Sequence, residues 1–309
     1  MSARKCISLR RYPYTDFADI LDIVEANTVP VEELRITECS WRFTNRGLWS
    51  KCLRKIPGKD RECPYGCPVP APPSSLQSVD IIGLPEGTDP MPLALWLIHS
   101  RNPSLQIKWS FQFSLFDETC QKTSHVLAAL GSRLTTVSLN IDVRGSWNES
   151  AFSQYYSTHS WVLTRVQIDF HKQNFPKLSN NTGLKSFTLI DVVPDVCPPN
   201  YLEMVIGDIA SSELETLTIR FYVFTKEEAS LDYFDFEGLG RVLCPAGFQK
   251  FPQLKTLTFC LSANKRNASK FALDAASLKH KMLKEMSFLK AWQNAYGLQV
   301  NTLTTYIIE

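Results

Sequence analysis

The chain has 309 residues, 44% hydrophobic and 21% charged, with a formal net charge of +2 at pH 7. That length can bury a sizeable core, and a charge so near zero exerts no general pull toward nucleic acid or an anionic membrane. No window approaches the ~18 uncharged apolar residues of a membrane span, and the N-terminal "MSARKCISLRRYPYTDF" lacks an apolar stretch of signal-peptide length.

A membrane is therefore not expected as a partner, and the expected location is cytoplasmic or nuclear. The nine cysteines, at 6, 39, 52, 63, 67, 120, 197, 244 and 260, then read as reduced thiols. The sequons at Asn148, Asn180 and Asn267 read as chance matches.

In chain order, "TDFADILDIVEAN" sets Phe17, Ile20, Leu21 and Val24 on one face, with Thr15 or Asp16 as N-cap. That spacing predicts a helix over 15–27. The pattern L-x-x-L-x-L, with any apolar residue at each L, then fits Val31/Leu34/Ile36 and Leu76/Val79/Ile81. Leu105, Ile107, Trp109 and Phe111 form a degenerate copy, alternating without the two-residue step. "MPLALWLIH", between these two, is too short to cross a membrane and is broken by Pro92.

The motif returns at Leu134/Val137/Leu139, Leu163/Val166/Ile168, Leu184/Phe187/Leu189, Leu214/Leu217/Ile219, Leu254/Leu257/Phe259 and Leu303/Tyr306/Ile308. Successive starts from 76 to 163 are 29, 29 and 29 residues apart; later spacings are 21, 30, 40 and 49. A short strand whose side chains alternate faces cannot bury its apolar side alone. Stacked copies with returning helices can.

The returns look helical. "PNYLEMVIGDIASS" aligns Leu202, Val205, Ile206 and Ile209, and "ETCQKTSHVLAALG" ends at Gly131, a C′ glycine. "SLDYFDFEGLGRVL" is interrupted by Gly238 and Gly240. The predicted fold class is α/β: a leucine-rich-repeat-like solenoid, with parallel strands on the concave face and helices on the convex face. It is one domain over 1–309, with a basic Cys/Pro-rich insertion at about 41–75 and a basic helical segment at about 265–296. Eight parallel strands should start near 34, 79, 107, 137, 166, 187, 217 and 257.

The motifs "LTTVSLNI", "LKSFTLID", "LETLTIRF" and "FPQLKTLTF", irregularly spaced, resemble the leucine-rich-repeat region of fungal F-box-type proteins, over residues 31–309. The resemblance implies substrate recognition in a ubiquitin ligase. No "LPxELL"-style opening stands at the N-terminus. A ligase adaptor is thus expected as partner only if an F-box lies outside this chain.

The insertion holds Arg42, Arg46, Lys51, Arg54, Lys55, Lys59 and Arg61 against Asp60, interleaved with Trp41, Phe43 and Trp49. Charge tracking phosphate and aromatics stacking on bases would suit single-stranded nucleic acid, so a nucleic-acid binder using 41–61 is the alternative function. A solvated loop with its tryptophans packed on the repeats is the preferred reading, since no RNA-binding motif accompanies the patch. Cys39, Cys52, Cys63 and Cys67 supply one close pair, "CPYGC", where tetrahedral zinc usually takes two.

No cofactor is expected. None of His99, His125, His159, His171 and His280 has metal-binding spacing, and no GxSxG, phosphate loop or GxGxxG is present. The chain is read as a non-enzyme. In 265–292 the basic residues exceed the acids by 7 − 2 = 5. Leu278, Met282, Glu285 and Leu289 recur there at helical spacing, with Met286 adjacent, and the apolar stripe would seal the end of the core.

The leading function is a protein-interaction scaffold. Its partner would lie on the concave face, against strand positions that alternate away from the core. Those are Gln106, Lys108, Ser110 and Gln112, then Ser138, Asn140 and Asp142, then Arg165, Gln167 and Asp169. Thr188, Thr218, Arg220, Tyr222 and Thr258 continue the row, with Arg220 or Tyr222 as the anchor.

Overall fold

The computed structural model describes residues 5–14, 16–27, 29–41, 71–85, 88–114, 118–142, 176–192, 201–223, 236–245, 249–265 and 272–307. Nine strands form one sheet: β1 (Cys6–Arg10), β3 (Glu33–Thr37), β5 (Ser78–Ile82), β6 (Gln106–Ser114), β7 (Leu134–Asp142), β8 (Ser186–Val192), β9 (Thr216–Tyr222), β10 (Thr256–Asn264) and β11 (Gln299–Ile307). Every pairing is parallel, and the strands stand side by side in chain order. Among the described residues the sheet is open, with β1 and β11 as its edges. Two short strands, β2 (Pro13–Tyr14) and β4 (Ser40–Trp41), pair separately just beyond β1 and β3.

The repeat motif has a local cause. In four rungs the leading leucine closes a tight turn: Leu76, Leu105, Leu184 and Leu254 each donate N–H to the carbonyl three residues back, on Pro73, Asn102, Asn181 and Phe251. The next residue already joins the ladder, as Gln106 N to Gln77 O at 2.9 Å and Lys255 N to Glu215 O at 2.9 Å show. The leucine therefore points into the core from the turn, and two residues later the strand alternation begins. Leu76, Val79, Ile81, Leu134, Val137, Leu139, Leu184, Phe187, Leu189, Leu214, Leu217 and Ile219 are all fully buried.

Seven helices lie among the described residues: α1 (Phe17–Glu25), α2 (Met91–Ile98), α3 (Glu118–Leu130), α4 (Tyr201–Asp208), α5 (Phe236–Leu243), α6 (Ala275–Glu285) and α7 (Phe288–Tyr296). Their apolar stripes share one core with the strands. Asp16 caps α1 in a capping box, as the sequence allowed. Gly131 ends α3 at φ 52, the left-handed C′ position.

Polar side chains tie three of the turns to the one before. Ser75 Oγ donates to Val31 O, Asn102 Nδ2 to Leu76 O, and Ser211 Oγ to Thr182 O and Leu184 O. Helix C-termini are capped the same way. Arg133 reaches Leu97 O at the end of α2. Buried Asn181 donates to Leu127 O and Gly131 O beneath α3, and Lys250 to Ile206 O and Gly207 O on α4. The last carbonyls of a helix have no partner within it, so in these three cases a turn later in the chain completes a helix of an earlier unit. Desolvation holds the half-buried Lys250 ammonium below the usual lysine range.

Several expectations need correction. β1 carries only Ile7 and Leu9 toward the core and no leading leucine, so the motif missed it. The expected strand near 166 lies outside the described residues; β7 and β8 pair directly with each other. The last rung was misaligned. Leu298 and Val300 are buried and Leu303 is 53% exposed, because register places Val300 beside Leu257 and Leu303 beside Cys260 on the opposite face. Gly238 and Gly240 do not interrupt α5 but lie buried within it.

Candidate functional site: the sheet face away from the core

Residues alternating with the core positions line one face, and parallel register aligns them in rows. One row runs Arg35, Asp80, Lys108, Thr136, Ser186, Thr216 and Thr256. The next runs Thr37, Ile82, Ser110, Ser138, Thr188, Thr218 and Thr258. Over β3 to β6 the first row is charged, with alternating sign. Over β7 to β10 both rows are hydroxyls, about 4.8 Å apart from strand to strand. The first of these hydroxyl rows was not anticipated. Its signal was present in "TVS", "SFT", "TLT" and "TLT", a period of two read across strands rather than along one.

The face is open at β6 and closes toward β10. Gln106, Lys108 and Gln112 are exposed; Ser110, Ser138, Asn140, Thr188, Thr218 and Arg220 are partly buried. On β9 and β10, Tyr222 is 3% exposed, Thr258 9%, Cys260 6% and Ser262 0%. Tyr222 and Cys260 are thus buried outside the main core. The expectation of Tyr222 as an exposed anchor is corrected: alternation chose its face rightly, but that part of the face is covered. Thr258 is covered with it.

Lys108, Gln112, Asn140 and Arg220 share the face as expected. Asp142 occupies the matching backbone position on β7, beside Ser114. Arg165, Gln167 and Asp169 lie outside the described residues. Among the described residues, two buried polar atoms on this face have no hydrogen-bond partner: Asn140 Oδ1 and Arg220 Nε.

At the strand entrances Lys185, Glu215 and Lys255 succeed one another on adjacent rungs. Lys255 Nζ donates to Glu215 Oε2 at 2.9 Å, and that bond holds the Glu215 carboxyl below the usual range. The pair is exposed and contributes little to stability.

Trp41, the first aromatic of the basic insertion, is buried, stacks at a tilt on Phe17 and donates Nε1–H to Asp89 O at 2.9 Å. It is a core residue and unavailable for stacking on a base. The basic residues of 42–61, with Phe43 and Trp49, lie outside the described residues, as do Cys52, Cys63 and Cys67. Cys39 is buried, with its thiol against Thr37 O. Among the described residues no group of His, Cys, Asp and Glu could hold a metal ion. Leu278, Met282, Met286 and Leu289 of the basic segment are buried, leaving Lys279, Lys284 and Lys290 exposed. No described helix is long and apolar enough to cross a membrane. No protein-family model, curated protein or solved structure matches the chain.

Proposed function

We propose that the chain is a leucine-rich-repeat-like solenoid acting as a non-catalytic protein-interaction scaffold, similar in role to the substrate-recognition repeats of F-box-type ubiquitin ligase receptors. The carrying observation is the in-register polar face. Over β7 to β10, successive strands in chain order place hydroxyl side chains at the same heights. A tight turn opening on leucine repeats with the strands, and stacked units of this kind expose extended binding surfaces.

Lys108, Gln112, Asn140 and Arg220 are the proposed contacts. A polar face mixed in charge favours a protein surface over a single small molecule, since small-molecule sites are concave and mostly apolar. The test is affinity purification of the full chain beside two variants. Lys108→Glu with Thr188→Arg alters the polar face; Lys279→Glu alters the exposed side of α6. Partners retained by wild type and the α6 variant but lost from the face variant support the reading, and ligase adaptors among them would support the F-box-type role. Identical recoveries from all three proteins would sink it.

A further inference from the structure

Arg220 and Asn140 are the two residues of the polar face whose buried side-chain atoms go without hydrogen bonds. Register places them near one another. Asn140 pairs with Ile190 on β8, and an irregularity between Leu189 and Val192 sets the Ile190–Asp191 backbone against Arg220. Two strand spacings separate them, about 10 Å, with partly buried Ile190 between.

No ion pair among the described residues holds Arg220. Its same-face neighbours on β9 and β10 include Thr218, Thr258, Cys260 and Ser262, hydroxyls and a thiol without a carboxylate. An Nε–H taken from water without an acceptor is costly, and a buried polar group left unsatisfied calls for an explanation. Arg220 as a whole keeps some exposure, so an incoming group can reach it.

We propose that Arg220 anchors a carboxylate on an extended acidic segment of a partner protein crossing β7 to β9, with Asn140 accepting an N–H from the same segment. This rests on the interaction-face reading above and names the partner's chemistry. The planar guanidinium fork matches a carboxylate. An extended segment advances ~3.3 Å per residue, so the acid and the N–H donor lie about three residues apart. An apolar side chain between them would cover Ile190.

The test uses the full chain and a displayed library of random peptides. Peptides enriched by wild type should carry an acidic residue. Changing that residue to its amide, or making Arg220→Gln, should weaken binding by roughly ten- to a hundredfold, with the melting temperature unchanged. Asn140→Leu should weaken it by a smaller factor. A phosphoserine version binding more tightly than the glutamate version overturns the carboxylate assignment. Asp191→Asn lowering the melting temperature overturns the proposal by giving Arg220 an acceptor within the chain. Peptides that need Lys108 but not Arg220 leave the face reading standing and remove the anchor. Binding indifferent to both residues, or an empty selection, removes both.

Discussion

Leu217 and Arg220 lie on one strand and face opposite sides of the sheet. Leu217 is fully buried, so Leu217→Ala should cost about 2–5 kcal/mol by leaving a cavity. Arg220 has an unpartnered buried Nε, and removing such a group carries no lost bond. Arg220→Ala should stay within about 0.5 kcal/mol of wild type or gain slightly. Urea melts of both variants check this, and a large loss from Arg220→Ala would mean that its cation is satisfied in the fold. The alternation in "ELETLTIRF" made the two faces legible. It could not show that Tyr222 is covered while Lys108 is open, because coverage depends on what lies across the face and not on the strand's own period. A second residue-scale feature repeats after β1, β3 and β5, where Arg11, Glu38 and Gly83 all take positive φ, of 51, 52 and 60. Gly83→Ala should cost about 1 kcal/mol in a thermal melt, from backbone strain. The cost should not be steric, since an added Cβ meets only Glu38 Cγ at 3.5 Å.

At the scale of elements, the helices depend on residues far along the chain. Asn181 bonds two carbonyls at the end of α3, 54 and 50 residues earlier in sequence. Asn181→Ala strands both, and should cost about 1–3 kcal/mol. Lys250→Met removes the donor to Ile206 O and Gly207 O while keeping the stem, and should cost about 1 kcal/mol. Chemical denaturation of each variant decides it; a neutral Asn181→Ala would mean that water replaces the amide. These caps were not legible, since nothing local to α3 points to Asn181. The local signals were: Asp16 before α1 and Gly131 after α3 are cap residues by type. The glycines of α5 misled for the opposite reason. A Cβ on Gly240 would stand 3.2 Å from Phe288 Cε1, so close packing against α7 overrides helix propensity there. The final strand misled because its third core position is Thr302, beside Phe259 in register, and the apolar motif slid onward to Leu303.

For the whole molecule, order along the chain equals order across the nine-stranded sheet, and each of its described strands bonds only the strands beside it in that order. That arrangement was legible because one strand motif recurs along the chain, though at unequal intervals. A strand bonded on one side only opens more easily than one bonded on both. Amide hydrogen exchange should therefore be slowest at the centre, around Val137 and Leu139 of β7, and quicken toward β1 and β11. Uniform protection across all the strands would show a single cooperative unit instead.

The open sheet also has a head and a tail. With every strand parallel, the free edge of β1 and the free edge of β11 present unlike halves of the same ladder. Joining β11 of one copy to β1 of the next continues the sheet in the same direction and leaves a new free edge, so growth by that route is polar and does not close. Joining two like edges instead requires antiparallel strands and a two-fold axis, and stops at a pair. Any edge-to-edge self-association therefore announces its geometry by its size: a dimer means like edges, and a ladder of higher species means head to tail.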